Sequence, residues 1–347
     1  MIHVNTATRW GGTIAAAALI LSACSSAPSD QSSAVEQTQS TIAAESVTVG
    51  LTYIPNVQFS PVYVAEDHGL FDDRGIDATI RHHGSDEGLF TALISGEEHV
   101  VVASGDEAMV ARDQGMDLVS IGAYYRSYPA TVIVPADSDI DSLDDLKGKS
   151  IGIPGEYGSN WYAALSALKQ AGLTREDVKI ESIGYTQQAA IAQKSVDAVI
   201  GFTNNDLVQM RRGGIDVRTV DLDPEQTALV AASIITTRQW AQDNPEQAKA
   251  VVSAITSGTQ MILNDPELAI SATQKRDDTL TQEEQLDTAR AVLQATLELM
   301  VDDSGKASAV QDLDVWKNMA VFLADVPDLV STTPDAGKAV TNDYVSQ

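Results

Sequence analysis

From residue 47 the chain alternates short β-branched runs with stretches whose apolar positions recur at helical spacing. Val47 to Leu51 reads as a strand, followed by a loop with Pro and Asn from Tyr53 to Gln58. Pro61 to His68 reads as a helix stopped by Gly69. Asp77 to Arg81 alternates as a second strand, Glu87 to Ser95 is helical, and Val100 to Ala103 is a third strand. Further along, the same order returns. Ser150 to Ile153 is a strand, Gly155 to Asn160 a loop, and Trp161 to Gln170 a helix stopped by Gly172. Val178 to Ile183 is a strand, Gln187 to Lys194 a helix and Ala198 to Phe202 a strand.

Two copies of one β-α-β-α-β order call for parallel sheets with right-handed crossovers, one in each of two α/β lobes. Ligands of open α/β sheets collect beyond the carboxyl ends of strands, where all these loops lie. After Val119 to Ala123 the chain runs through Tyr124 to Pro129 into another strand, Thr131 to Val134. After Asp221 it runs through Glu225 to an apolar stretch, Leu229 to Thr236. These two crossings make the second lobe an insertion in the first, and together they form a hinge suited to closure. The expected division is residues 47–128 for the first part of lobe I, 129–224 for lobe II, and 225–347 for the rest of lobe I. That last part is a helical tail. Asn244 caps Pro245 to Asn264, Thr281 with Glu284 offers a capping box before Gln285 to Met300, and Asp312 to Ala324 is the final amphipathic helix.

The length of 347 residues, with 44% hydrophobic and 20% charged, fits a globular chain with more than one core. Its 49 Asp and Glu against 22 Lys and Arg give a net charge of −27, which argues against nucleic acid and anionic membrane surfaces as partners. The single Cys excludes an internal disulfide and any Cys-rich metal site, and five His leave little material for a histidine centre. Arg9 and the apolar run Thr13 to Leu21 form a secretory signal too short to cross a bilayer. Leu21-Ser22-Ala23-Cys24 resembles the lipobox of bacterial lipoproteins. The resemblance implies a signal peptide over residues 1–23 and lipidation of Cys24; the alternative is an ordinary signal with a chance Cys. Residues 24–46, rich in Ser and without aromatics, read as a flexible tether that cannot bury enough surface to offset its ordering entropy. The body is therefore expected outside the cytoplasm, held to the membrane by lipid on Cys24.

Catalytic signals are thin. Ser104-Gly105-Asp106-Glu107 places a hydroxyl and two carboxylates where a third strand ends, either as acid, base or ligand contacts or as a capping box. His82 and His83 follow a strand on opposite faces, so a shared metal is not expected and both read as solvated surface residues. Gly155-Glu156-Tyr157-Gly158 lacks phosphate-loop spacing and a Lys, and no nucleophile elbow, P-loop or dinucleotide fingerprint is present. No catalytic residue, metal or resident cofactor is assigned, and the chain is not expected to be an enzyme.

Aromatics are 5% of the chain, yet they crowd the predicted cleft loops. Tyr53 follows the first strand; Tyr124, Tyr125 and Tyr128 lie in the first crossing; Tyr157, Trp161 and Tyr185 sit beside the strand ends of lobe II. Tyr and Trp offer a flat apolar face with one polar handle, which a planar heteroaromatic ligand requires. Asn56 and Gln58 in one lobe, and Asn160, Asn204 and Asn205 in the other, can read lactam or amide edges. Ser104, Asp106 and Glu107 complete the candidate ligand contacts. Any single aromatic here has a core role as its alternative, and Phe202 is assigned to the core. Arg126 is the one candidate cation at the hinge, so a strongly anionic ligand is disfavoured.

Thr52-Tyr-Ile-Pro-Asn-Val-Gln-Phe-Ser-Pro-Val-Tyr-Val-Ala65, Gly69-Leu-Phe71, Leu143-Asp-Asp-Leu-Lys-Gly-Lys-Ser-Ile-Gly-Ile-Pro154 and Val196-Asp-Ala-Val199 resemble solute-binding proteins of bacterial ABC importers. The likeness is to the group shared by sulfonate-, thiamine-pyrimidine- and riboflavin-type binders; it covers Val47 to about Leu222 clearly and the helical tail more loosely. The loops at Tyr53 to Gln58, Ser104 to Glu107 and Phe202 to Asp206 look most like the riboflavin-importer members. The resemblance implies the two-lobed type 2 periplasmic-binding-protein fold, a hinge, and delivery of a small molecule to a membrane permease, with riboflavin favoured. A thiamine pyrimidine precursor or an alkanesulfonate is the alternative in the same role. Pyrimidine synthases share the fold, but their Cys-rich loop has no counterpart here. Closure between lobes suits a monomer.

Overall fold

The computed structural model describes residues 45–346 apart from 85, 86 and 225. The signal peptide, Cys24 and nearly all of the tether fall outside the described residues.

Among the described residues, ten strands make two sheets. The first holds β1 (Glu45–Leu51), β2 (Ile76–His82), β3 (Val100–Ser104), β4 (Leu118–Ala123) and β10 (Ala232–Thr237), in the order β2-β1-β3-β10-β4. The second holds β5 (Ala130–Pro135), β6 (Ser150–Ile153), β7 (Lys179–Ser182), β8 (Ala198–Phe202) and β9 (Val217–Val220), in the order β7-β6-β8-β5-β9. The orders are equivalent, as the sequence repeat requires. Helices α1 (Ser60–Asp67), α2 (Thr91–Ser95) and α3 (Gly105–Asp113) serve the first lobe, and α4 (Gly158–Gln170), α5 (Gln187–Ala192) and α6 (Asp206–Arg212) the second. Then follow α7 (Arg238–Asp243), α8 (Pro245–Asn264), α9 (Glu267–Gln274), α10 (Glu283–Leu297), α11 (Leu313–Asp325) and α12 (Ala336–Ala339). Among the described residues, no helix is long and apolar enough to cross a membrane.

The sheets are mixed rather than wholly parallel. β1 pairs in parallel with β2 and β3, and β6 with β7 and β8, but β10 and β5 run antiparallel to their neighbours. The register supplies the reason. Ala130, the first residue of β5, lies opposite Phe202, the last of β8, and Ala232 opens β10 opposite Ser104, the last of β3. Each crossing therefore enters its new sheet at the edge where the parallel strands end, and from there the chain can only run back against them. Both connections between lobes thus lie at the carboxyl edge of the strands, the edge that gathers ligand-binding loops.

The cores follow the apolar pattern. Val49, Leu51, Val62, Val100, Ile121 and Ile234 are fully buried in one cluster, with the apolar faces of α8 to α10 over them. The tail does not belong to the first lobe alone. Trp316, Met319 and Leu323 of α11 share a core with Tyr162, Leu165 and Leu168 of α4, so the end of the chain packs against lobe II as well.

Local expectations shift at three caps. Asn244 precedes α8, but its side-chain amide donates to the Trp240 carbonyl instead of capping the helix. The capping box of α10 is made by Gln282 and Gln285, one residue beyond Thr281 and Glu284. At α3 no side-chain cap forms, because Ser104 engages carboxylates instead.

Nor are the two histidines both at the surface. His83 is buried, with Nε2 2.9 Å from Glu98 Oε1, and Arg81 joins Glu98 to Glu87. A buried carboxylate needs such partners, and the Glu98 carboxylate packs directly on Gly50, which leaves no room for a side chain there. His82 points to the other face, where Nε2 lies 3.1 Å from the Tyr63 hydroxyl and Nδ1 2.8 Å from the Tyr53 carbonyl.

Gly258, in the middle of α8, faces the Pro61 carbonyl of α1 so closely that a Cβ would collide with it. Replacing a helix-interior Gly by Ala ordinarily gains about 1 kcal/mol. Here Gly258→Ala is expected to lose about 1–3 kcal/mol through overpacking, measured as a lower denaturation midpoint with an unchanged slope.

Candidate functional site

β3 hands over to α3 at Ser104, and the tight turn is possible because Gly105 lies against Val230 where a Cβ would clash. Asp106 and Glu107 therefore occupy the first helical turn, where carboxylates are favoured by the free amides. Asp106 is fully buried. Its Oδ1 accepts from the Glu107 amide at 2.7 Å and from the Ser159 hydroxyl at 3.1 Å, and lies 2.6 Å from Ser104 Oγ. Ser104 Oγ is also 2.7 Å from Glu107 Oε2. Tyr128 Oη lies 2.7 Å from Asp106 Oδ2 and 2.8 Å from the Ser159 carbonyl. Asp106 belongs to the first lobe, Ser159 opens α4 of the second, and Tyr128 lies in the segment that crosses between them. One buried carboxyl thus ties the three together.

Burial pushes the Asp106 carboxyl up to about 6, against the hydrogen bonds from Ser104, Tyr128, the Glu107 amide and Ser159. Burial first, and then the Asp106 charge, push Glu107 up to about 7. Glu107 retains a partly exposed side, with Oε1 facing Gly158 at the start of α4.

Above Glu107 stand three exposed tyrosines: Tyr53 from the first lobe, 45% exposed, and Tyr157 and Tyr185 from the second, 56% and 71% exposed. They are close enough to sense one another. Desolvation, then the neighbouring Tyr157 phenol, then Glu107 and Tyr53, push the Tyr185 phenol up to about 12. The Tyr157 ring lies over Gly155, and any side chain at that position would displace it. Beside this mouth an open cavity of 400 Å³ runs between Asn56 and Val57, Gln188, Gln209 and Arg212 of lobe II, and the α9–α10 region.

The other candidate residues are placed differently. Asn56 Oδ1 accepts from the Gln58 amide and starts a short 3-10 turn, and the Gln58 carbonyl accepts from the Tyr124 hydroxyl. Tyr124 and Tyr125 are buried in the first core, ring centres 5.4 Å apart. Trp161 is buried in the second core beneath the Arg175 guanidinium, 4.8 Å from its ring centre. Asn160 donates to the Ile200 carbonyl. Asn204 is fully buried and donates to the Thr296 hydroxyl of α10, and Asn205 precedes α6 with its Oδ1 3.4 Å from Gln209. Arg126 reaches Ser308 and the Val310 carbonyl of the tail rather than the mouth. Phe202 is half-buried against the second core.

Ser159 carried no signal of its own in the sequence. Its pairing with Asp106 depends on two lobes meeting, and the nearest hint was Gly158, whose φ of +71° sets the start of α4.

Residues 56–269 match the family model described as NMT1/THI5 like. The chain is 29% identical over 335 residues to riboflavin-binding protein RibY of Chloroflexus aurantiacus, covering 94% of this chain and 95% of that one. It is 25% identical over 286 residues to the formylaminopyrimidine-binding protein of Halalkalibacterium halodurans, covering 81% and 85%. The periplasmic aliphatic sulphonate binding protein SsuA of Escherichia coli superposes with a TM-score of 0.69 at 17% identity, over 86% of this chain and 92% of that one. The two lobes, the inserted second sheet and the helical tail are thus the periplasmic-binding-protein fold. With the family model spanning well over half its length, the chain belongs to the NMT1/THI5-like family.

Proposed function

We propose that this protein is the extracytoplasmic, lipid-anchored solute receptor of an ABC importer, and that it captures a planar heteroaromatic vitamin or precursor, riboflavin first, between its lobes. The observation that carries this reading is the mouth itself. Tyrosines from both lobes stand exposed and within electrostatic reach of one another over a partly exposed acid, at the edge where both crossings enter their sheets. Exposed aromatic rings that converge across a hinge offer stacking faces to a flat ring and bury apolar surface when the lobes close. The adjoining cavity, lined by amides and hydroxyls such as Asn56, Gln188, Gln209 and Thr288, suits a hydroxylated side chain. RibY, related along nearly its whole length, is named for riboflavin. A formylated aminopyrimidine is the second reading, supported by the relative named for that ligand. Arg126, the hinge cation that the sequence offered to a sulfonate, is turned to the tail. Lipid on Cys24 would hold the receptor beside its permease, and Glu107, Tyr53, Tyr157 and Tyr185 are the proposed ligand-side groups, while Ser104 and the fully buried Asp106 hold Glu107 in place.

Titration of the body from residue 47 with riboflavin is expected to quench flavin fluorescence at micromolar protein, a binding energy of about −8 kcal/mol. Tyr157→Ala and Tyr53→Ala should each weaken binding at least about tenfold, or about 1.4 kcal/mol. Absence of quenching at micromolar protein would remove the flavin. In the full chain, Cys24→Ser should move the protein from the membrane fraction to the soluble one; if it stays with the membrane, the anchor lies elsewhere.

A further inference from the structure

We propose that Glu107 works as an uncharged acid, keeping its proton and donating it in a hydrogen bond to Ser104 while its other oxygen accepts from a neutral N–H of the bound ring. The inference rests on the reading that the tyrosine mouth takes the ligand.

Hydrogen counting carries it. Six contacts join Ser104, Asp106, Glu107, Tyr128 and Ser159. With both carboxyls ionised, the only hydrogens are those of three hydroxyls and one amide, four in all for these six contacts. One shortfall is at Tyr128, whose single hydrogen is shared between Asp106 Oδ2 and the Ser159 carbonyl, a neutral acceptor. The other is at Ser104, whose single hydrogen would have to serve two carboxylates at 2.6 and 2.7 Å. Two like charges on one hydroxyl, one of them fully buried, are costly, and a proton removes the conflict. Asp106 already accepts from the Glu107 amide and the Ser159 hydroxyl, so the negative charge is better kept there. The proton then belongs on Glu107: Glu107 donates to Ser104, Ser104 donates to Asp106, and both contacts are satisfied.

That assignment determines what Glu107 shows the ligand. Oε1 has no hydrogen-bond partner among the described residues and lies against Gly158, below Tyr157 and Tyr185. In the protonated acid this oxygen is an uncharged acceptor. It matches the N–H of a lactam, imide or ring amine and gives a cation no special advantage. Among the described residues no cation bonds to Glu107, and Lys169, at the far end of α4, pairs with Asp325. Facing it are Asp106 on α3 and the phenols of Tyr128, Tyr162 and Tyr185. α11 and α12 also pack on α3, but their Lys317 and Lys338 are exposed and sit beside Asp314 and Asp335. Arg112 at the far end of α3 pairs with Asp117, and β3, β4 and β10 carry no charged residue.

The test is a riboflavin titration of the wild type and Glu107→Gln, with melting temperatures taken without ligand. Wild-type affinity should fall about tenfold from about pH 6 to about pH 8, as an acid titrating near 7 loses its proton. In Glu107→Gln the amide N–H donates to Ser104 and the oxygen still accepts, so the pH dependence should vanish. Without ligand, a carboxyl raised in the folded state contributes stability at low pH that is lost as pH rises toward 7. The wild-type melting temperature should therefore fall more steeply than that of Glu107→Gln between about pH 4.5 and about pH 7. Asp106 remains in both proteins, so the difference isolates Glu107. Wild-type affinity that is flat or rises with pH overturns the proposal, as does weak binding by Glu107→Gln at every pH. If riboflavin binds at no pH while the melting difference is seen, the ligand reading falls and the proton on Glu107 stands. If the melting difference is missing, the proposal falls whatever the ligand does.

Discussion

Burial of the Asp106 carboxyl is the constraint around which the two lobes are arranged. A carboxyl removed from water must be supplied with donors or lose its charge, and its partners come from three separate parts of the chain. The Glu107 amide is its neighbour on α3, Tyr128 belongs to the first crossing, and Ser159 opens the second lobe. Separating the lobes would take Ser159 away and leave Asp106 to water. The meeting of the lobes at Ser159 and the satisfaction of one buried acid are therefore one interaction, and the fold places it next to Glu107 and the tyrosine mouth.

The antiparallel strands β5 and β10 follow from the same geometry. Both crossings enter at the carboxyl edges of the sheets, so hinge, network and mouth share one edge of the molecule. The tail reinforces the pairing from outside. α11 buries Trp316 and Leu323 against α4, and α10 meets the second lobe where Asn204 donates to Thr296. A helix that touches both lobes limits how far they can part.

Much of the candidate site could be read in the sequence because it follows strands. Tyr53, Ser104, Asp106, Glu107 and Tyr157 lie where the repeat predicted strand ends, and the structure brings them to one region. Tyr124, Tyr125 and Trp161 come from equally plausible positions but turn into the cores. Nothing in composition separates the two groups. Tyr125 and Tyr157 differ in which side of the backbone the ring leaves from and in what packs opposite, and both are settled by residues distant in the chain. His83 makes the same point: its surface assignment failed because Glu98, fifteen residues later, supplies a buried partner that no local pattern announces.

The sequence by itself determined the two-lobe plan, the insertion of one lobe in the other and the loops from which a site could be built. Strand and helix periodicity is local, and a repeated order of elements leaves few ways to fold. The tertiary structure alone decided strand direction at the crossings, which rings face solvent, and the meeting of Ser159 with Asp106. Those outcomes depend on contacts between residues far apart in the chain, and their energies exist only once both lobes are in place.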